Sequence, residues 1–198
     1  YKRQGMYVST WLRDESIDPR SDEGVARTVQ WLDHLADNDV HAVGFGWILL
    51  EDIGDAPSEI TCEELSQPFT DPLGPEAEEY FTRTAWLRGK DRENILDANY
   101  VVRPTVALED IKLADTELGM GFADETLRIT RTDGPRFSHT IDAGILSLIS
   151  GLHPNGLPLR DVVGLYAASR GTGQPEDVEK LEAEAAKAVV DLVRHGLV

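Results

Sequence analysis

The sequence predicts an α/β segment followed by an α+β domain, on three observations. Short β-rich apolar stretches alternate with a helix through the first 65 residues. A Pro-, Asp- and Gly-rich stretch, Gln67 to Pro75, interrupts the pattern. A β-hairpin signal and three helical periods then close the chain. The domain boundaries expected are 1–70 and 71–198.

Met6 to Leu12 is short, β-rich and apolar, and is expected as a buried strand. Ser21 offers an N-cap, with Asp22 and Glu23 in the first turn, where the helix dipole favours carboxylates. Val25, Val29, Leu32 and Ala36 recur at helical spacing as far as Asp37. His41 to Glu51 lacks charge on both alternating faces until its end, the pattern of a strand buried on both sides. Glu59 to Leu65 is expected to return antiparallel to it.

Pro75 suits the first turn of a helix ending near Gly89. Tyr100 to Leu108 and Glu117 to Phe122 are expected as strands. Leu127 to Thr132 alternates, and Asp133-Gly134-Pro135 turns it into Arg136 to Thr140 as a hairpin. Helices are expected over Ile141–Ser150, Leu159–Ser169 and from Pro175 to about His195, with Gly196 as a left-handed stop. Leu197 and Val198 read as the start of a further strand. A hairpin with three short helices and a closing strand is winged-helix-like.

The chain has 198 residues, 36 Asp and Glu against 19 Lys and Arg, and a net charge of −17. That charge works against binding DNA, RNA or an anionic bilayer. The hairpin holds the one local cluster of positive charge, Arg128, Arg131 and Arg136, as a candidate contact patch. A single cysteine, Cys62, excludes an internal disulfide and any multi-cysteine metal cluster, and a cytoplasmic setting is expected. Beside Glu63 its thiol is disfavoured as a nucleophile, and it reads as a small buried or edge residue. The longest apolar run, Ala42 to Leu50, is far short of the ~20 residues of a membrane helix.

Catalytic and metal motifs are missing. There is no G-x-S-x-G, P-loop or H-E-x-x-H, and His34, His41, His139, His153 and His195 are scattered, each read as structural. Gly171-Thr172-Gly173 follows a predicted helix, so it reads as a linker and not a phosphate loop. Neighbouring carboxylates such as Glu63-Glu64 and Glu78-Glu79, and the acidic side of the last helix, read as solvated faces.

The phrase Val40-His41-Ala42-Val43-Gly44-Phe45-Gly46-Trp47-Ile48 resembles a segment of actinobacterial HemK-like methyltransferases that carry a C-terminal extension. Gln67-Pro68, Pro72-Leu73-Gly74-Pro75, Ile141-Asp142, Leu159-Arg160-Asp161-Val162-Val163 and Leu192-Val193-Arg194-His195-Gly196-Leu197 fit the same group. The tail is also similar, more loosely, to the peptide-binding winged helix of the PqqD type. The resemblance implies that residues 5–65 close a class I Rossmann-like sheet as its fifth strand, last helix and antiparallel sixth and seventh strands. It implies S-adenosylmethionine as cofactor of a full-length enzyme that methylates a nitrogen of a protein or nucleic acid.

The family's Gly-rich cofactor loop and its Asn-Pro-Pro-Tyr-type motif are absent, so no catalytic, cofactor or metal residue is carried over, and this segment alone is expected to be inactive. The start at Tyr1 fits a C-terminal fragment lacking its N-terminal catalytic portion. On this registration Trp11 and Arg13, at the end of the first predicted strand, border the substrate. A protein substrate is favoured over nucleic acid, with pairing of two copies through the truncated surface or marginal stability as a consequence. Two rival expectations are a non-enzymatic winged-helix adaptor that binds a peptide or protein by strand addition, and an acidic transcription regulator.

Overall fold

A computed structural model describes residues 4–44, 46–70, 72–172 and 174–198. The chain is mixed α and β and divides into two compact units, Tyr1–Asp52 and Ile53–Val198. Among the described residues, no helix is long and apolar enough to cross a membrane.

The first unit holds α1 (Gln4–Asp14) and α2 (Asp22–Asp37). Met6 to Leu12 is therefore helical and not a strand. Its β-rich composition is outweighed by spacing: Val8 and Leu12 are four residues apart and both are buried, while Tyr7 and Trp11, also four apart, meet edge to face at 4.1 Å. Val8 and Leu12 pack against Leu35 of α2, with Ile17, Trp31 and Val40 around them. Ser21 caps α2 as expected, accepting from the Gly24 amide at 3.0 Å. Gly24 is there for space. A Cβ on it would lie 2.1 Å from the Asp18 carbonyl oxygen and under 3 Å from the Pro19 backbone.

The strands expected over His41–Glu51 and Glu59–Leu65 do not form among the described residues; Val43 makes an isolated bridge and the rest is irregular. Phe45 lies outside the described residues. With α1 helical, no strand among the described residues of the first unit is there to pair with them as a sheet.

The second unit runs α3 (Gly74–Leu87), α4 (Arg92–Leu96), β1 (Val106–Ala114), β2 (Phe122–Arg131), β3 (Ser138–Ile141), α5 (Ala143–Ser150), α6 (Leu159–Ser169) and α7 (Pro175–Arg194). The sheet is antiparallel in the order β1-β2-β3. The expected hairpin is β2–β3, with β2 longer than the alternation indicated. Residues 117–121 are the turn between β1 and β2, not a strand, and Tyr100 to Thr105 precedes β1.

Leu159, Val163, Ala185 and Val189 interlock α6 and α7, and Ile95, Leu96 and Tyr100 close the same core from α4 and the residues after it. Ile129, Ile149, Leu192 and Leu197 join the sheet to α5 and the chain end. Leu197 starts no strand. Gly196 turns left-handed at φ +68, the Gly196 and Leu197 amides donate back to Val193 and Leu192, and Leu197 is sealed in the core.

Gly24→Ala tests the first unit. Helix propensity alone favours alanine by ~1 kcal/mol, but the clash with Asp18 and Pro19 is expected to cost more, for a net loss of about 1–3 kcal/mol. Urea unfolding followed by tryptophan fluorescence in a Trp86→Phe background, where the signal comes from Trp11, Trp31 and Trp47 of the first unit, measures it; a stabilised variant would contradict this packing.

Candidate functional site

The end of α7 is where the polar chemistry of the second unit gathers. Arg131, the last residue of β2, has only 2% of its side chain exposed, against 10% for Glu76 and 12% for Arg83, both on α3. Strand alternation puts Arg131 on the same face as Ile129, so its guanidinium enters the core. There it meets Glu76 at 2.6 Å and Asp133 at 2.8 Å. Arg83 meets the other oxygen of Glu76 at 2.5 Å, and Arg103 meets Glu79 at 2.7 Å and Asp133 at 2.9 Å. The Thr105 hydroxyl donates to Asp133 at 2.8 Å. Three guanidiniums thus face three carboxylates, which balances the buried charge.

Two of these arginines also serve α7. Arg83 Nε donates to the Arg194 carbonyl at 3.2 Å and Arg131 Nη1 to that of His195 at 3.4 Å. Cations at a helix C-terminus satisfy its spare carbonyls and complement its dipole.

Burial pushes the Asp133 carboxyl up, but hydrogen bonds from Arg131, Thr105 and Arg103 outweigh it and hold the group well below the carboxylate range. The hydrogen bond from Arg103 likewise lowers Glu79.

Beside this network runs a second chain of groups. His139 Nε2 and His195 Nδ1 are 2.7 Å apart, and His195 Nε2 is 3.1 Å from Glu63 Oε1. Phe137 stacks on the His195 ring at 4.0 Å. The hydrogen bond from His195 holds Glu63 below its ordinary range. Burial first, and then the neighbouring His195, lower His139. Glu63 accepts from His195 Nε2, and His139 Nε2 and His195 Nδ1 share a single proton between them. It also pins the loop before α3, with help from Glu59 beside Arg194 at 3.6 Å, from Gln67 donating to the Pro135 carbonyl and from the Thr70 amide donating to that of Gly134.

A carboxylate–imidazole–imidazole chain can hold and pass a proton. The Ser138 hydroxyl, next to His139, is instead engaged with Thr130 at 2.8 Å. Cys62, expected as a small buried or edge residue of a strand, is exposed in a segment without regular structure. No group of three or more His, Cys, Asp or Glu among the described residues is arranged to hold a metal. The geometry is that of a latch between loop, hairpin and helix end.

The residues singled out in the sequence fall elsewhere. Trp11 packs on Trp31 at 4.9 Å between ring centroids, and Arg13 is exposed at the end of α1. Arg128, Arg131 and Arg136 do not make one exposed patch. Arg128 projects from the opposite face of β2 to Arg131 and lies 3.7 Å from Glu109, Arg131 is buried, and Arg136 is exposed in the turn at φ +55. Arg160, the one cation early in α6, is held by Glu93, Asp97 and Glu182 at 2.6, 3.0 and 3.3 Å. Gly173 of the Gly171-Thr172-Gly173 linker lies outside the described residues. The His139–His195 pair was hidden by a separation of 56 residues.

Residues 78–198 match the model of a family described as a domain of unknown function, DUF7782. The chain belongs to the DUF7782 family. The match covers Glu79, Arg83, Arg103, Arg131 and Asp133 of the ion network and both histidines of the latch, while Glu63 and Glu76 precede it. No curated protein and no solved structure matches the chain.

Two predictions follow from this geometry. Arg131→Ala leaves buried Glu76 with Arg83 alone and the network one cation short, and is expected to cost about 3–5 kcal/mol, whereas Arg160→Ala, whose partners Glu93 and Asp97 are exposed, is expected to cost far less. Urea denaturation separates them, and equal losses would contradict the core role of Arg131. Stability should also fall in two windows on acidification. A lowered His139 binds its proton more weakly folded than unfolded, so stability is full above its ordinary value near 6.5 and declines below it. The lowered Glu63, Glu79 and Asp133 contribute stability above the ordinary carboxylate range that is lost as pH falls through their folded values. Urea midpoints across pH measure both, and His139→Gln is expected to remove the upper window alone.

Proposed function

We propose that the chain is the closing part of a class I S-adenosylmethionine-dependent methyltransferase of HemK-like type, with residues 71–198 as its extension. The enzyme transfers a methyl group to a nitrogen of a protein or nucleic acid. The observation that carries this reading is the state of the apolar run. Ile48 and Leu50 are each 87% exposed and Ile60 89%, in segments without regular structure. Runs of this kind are buried on both faces in a parallel or mixed sheet, and the phrase Val40–Ile48 that resembles the methyltransferase segment lies across this one. Residues 41–51 and 59–65 are therefore read as strands that pair once the remainder of that sheet is supplied. Met6–Leu12, being helical, supplies none. In the isolated chain the same run is a route to pairing of two copies.

S-adenosylmethionine belongs to the residues that would precede this chain, since no cofactor or catalytic motif stands here. The extension selects substrate or packs against the catalytic portion. A protein substrate is favoured, because the charge is −17 and the arginines that a nucleic acid would need, Arg131 and Arg160, are engaged in internal ion pairs. A cytoplasmic setting goes with this reading. A second reading, a non-enzymatic winged-helix-like adaptor for a peptide or protein, is favoured by the exposed edge of β1.

Calorimetric titration with S-adenosylmethionine decides between them. The isolated chain is expected to give no binding heat. The product extended by the residues encoded before Tyr1 is expected to bind one equivalent. An extended product without binding would leave the adaptor.

A further inference from the structure

The distal half of the β1–β2 ribbon has the build of a docking element. β3 covers β2 only from Leu127 to Thr130. Beyond that, residues 111–114 and 122–126 form a two-stranded ribbon, and such ribbons are marginal in water on their own. The register shifts after Ile111, with Lys112 opposite Asp124, so Glu125 is the extra residue of a bulge that bends the ribbon.

The tip is apolar, and its turn is closed by hydrogen bonds. Leu113 is 54% exposed, Leu118 77%, Met120 78% and Phe122 74%. The Asp115 amide donates to the Gly121 carbonyl at 3.1 Å, and its carboxylate accepts from the Glu117 and Leu118 amides at 2.9 and 2.8 Å. These bonds shape the turn, and the apolar side chains around it face outward.

Around the tip the charge is of one sign. Residues 109–125 contain Glu109, Asp110, Asp115, Glu117, Asp124 and Glu125, and a single cation, Lys112, which is already bonded to Asp124 and lies 3.4 Å from Asp110.

We propose that residues 109–125 are the docking element for a protein partner whose surface offers an apolar cleft rimmed by Lys and Arg. Nucleic acid and anionic bilayers are repelled by the flanks. A second copy of the chain is a poor occupant, because its net charge is −17 and Arg83, Arg103, Arg131 and Arg160 are tied up in internal ion pairs. This inference rests on the ribbon alone and holds whether or not the methyltransferase reading does.

The test is an amide NMR titration of the whole chain with a synthetic peptide of alternating Lys and Leu, and with a Lys/Ser peptide of the same charge. Shifts concentrated on residues 113–124 are expected. Affinity should be about tenfold weaker for the Lys/Ser peptide, and about tenfold weaker for M120S/F122S, as loss of apolar anchors implies. Raising salt from about 50 to about 500 mM should weaken it further. The Ile129 and Leu192 amides must stay in place in the variant, which shows that its fold is intact. Three results would overturn the proposal: shifts centred on the acidic side of α7, equal affinity of M120S/F122S, or a concentration-dependent dimer or anionic-vesicle binding that M120S/F122S abolishes.

Discussion

The second unit depends on where one guanidinium sits. Arg131 ends a strand whose inward residues are otherwise apolar, and its side chain is 2% exposed. A buried charge is tolerated only with full pairing. The fold meets that condition by bringing Glu76 from the first turn of α3 and Asp133 from the turn that follows β2. Arg103 and Arg83 then settle the remaining carboxylate oxygens. Because Arg83 and Arg131 also donate to the last carbonyls of α7, the same few atoms fix a helix, a hairpin and a helix end. Gly196 suits this place because its φ is +68, and a Cβ would also lie 2.8 Å from Arg131 Nη1 and 3.0 Å from Arg83, so both guanidiniums would have to shift.

That placement sets up the rest. With the α7 end fixed, His195 reaches His139 on β3 and Glu63 on the incoming loop. With the base of the hairpin fixed, the β1–β2 ribbon leaves the sheet at its bulge and carries its apolar tip away from the core. A rigid base and a projecting, one-signed, apolar-tipped ribbon suit recognition better than chemistry.

Much of the second unit was legible in the sequence. α3, α6 and α7 are announced by Pro75, Asp161 and Pro175 in their first turns, α5 by helical spacing, and Gly196 as a stop is visible from residue type alone, whereas the five-residue α4 is too short for a periodicity and passes unread in the polar stretch 90–99. The β2–β3 turn reads from Asp133-Gly134-Pro135. The first unit was misread where composition and spacing disagreed, because Met6 to Leu12 is rich in β-formers yet has the i, i+4 stripe of a helix. His41–Glu51 reads as a strand from its own residues, but a strand forms only against a neighbour, which no local pattern contains. The ion network left one trace. In Leu127-Arg128-Ile129-Thr130-Arg131, alternation puts Arg131 on the inward face, and an inward arginine calls for buried carboxylates. Their identity, Glu76 and Asp133, follows from tertiary folding, as does the meeting of His139 with His195.

Native-state hydrogen exchange on the second unit tests the central role of Arg131 most directly. The amides of Arg131, Thr132 and Leu197, which donate to Phe137, Thr105 and Leu192, lie on three sides of the network. If the network joins hairpin and helix end into one cooperative element, these amides open together, with the same free energy and the same denaturant dependence as the core amides of α7. Hairpin amides that exchange through a separate, lower-energy opening while Leu197 stays protected would contradict it.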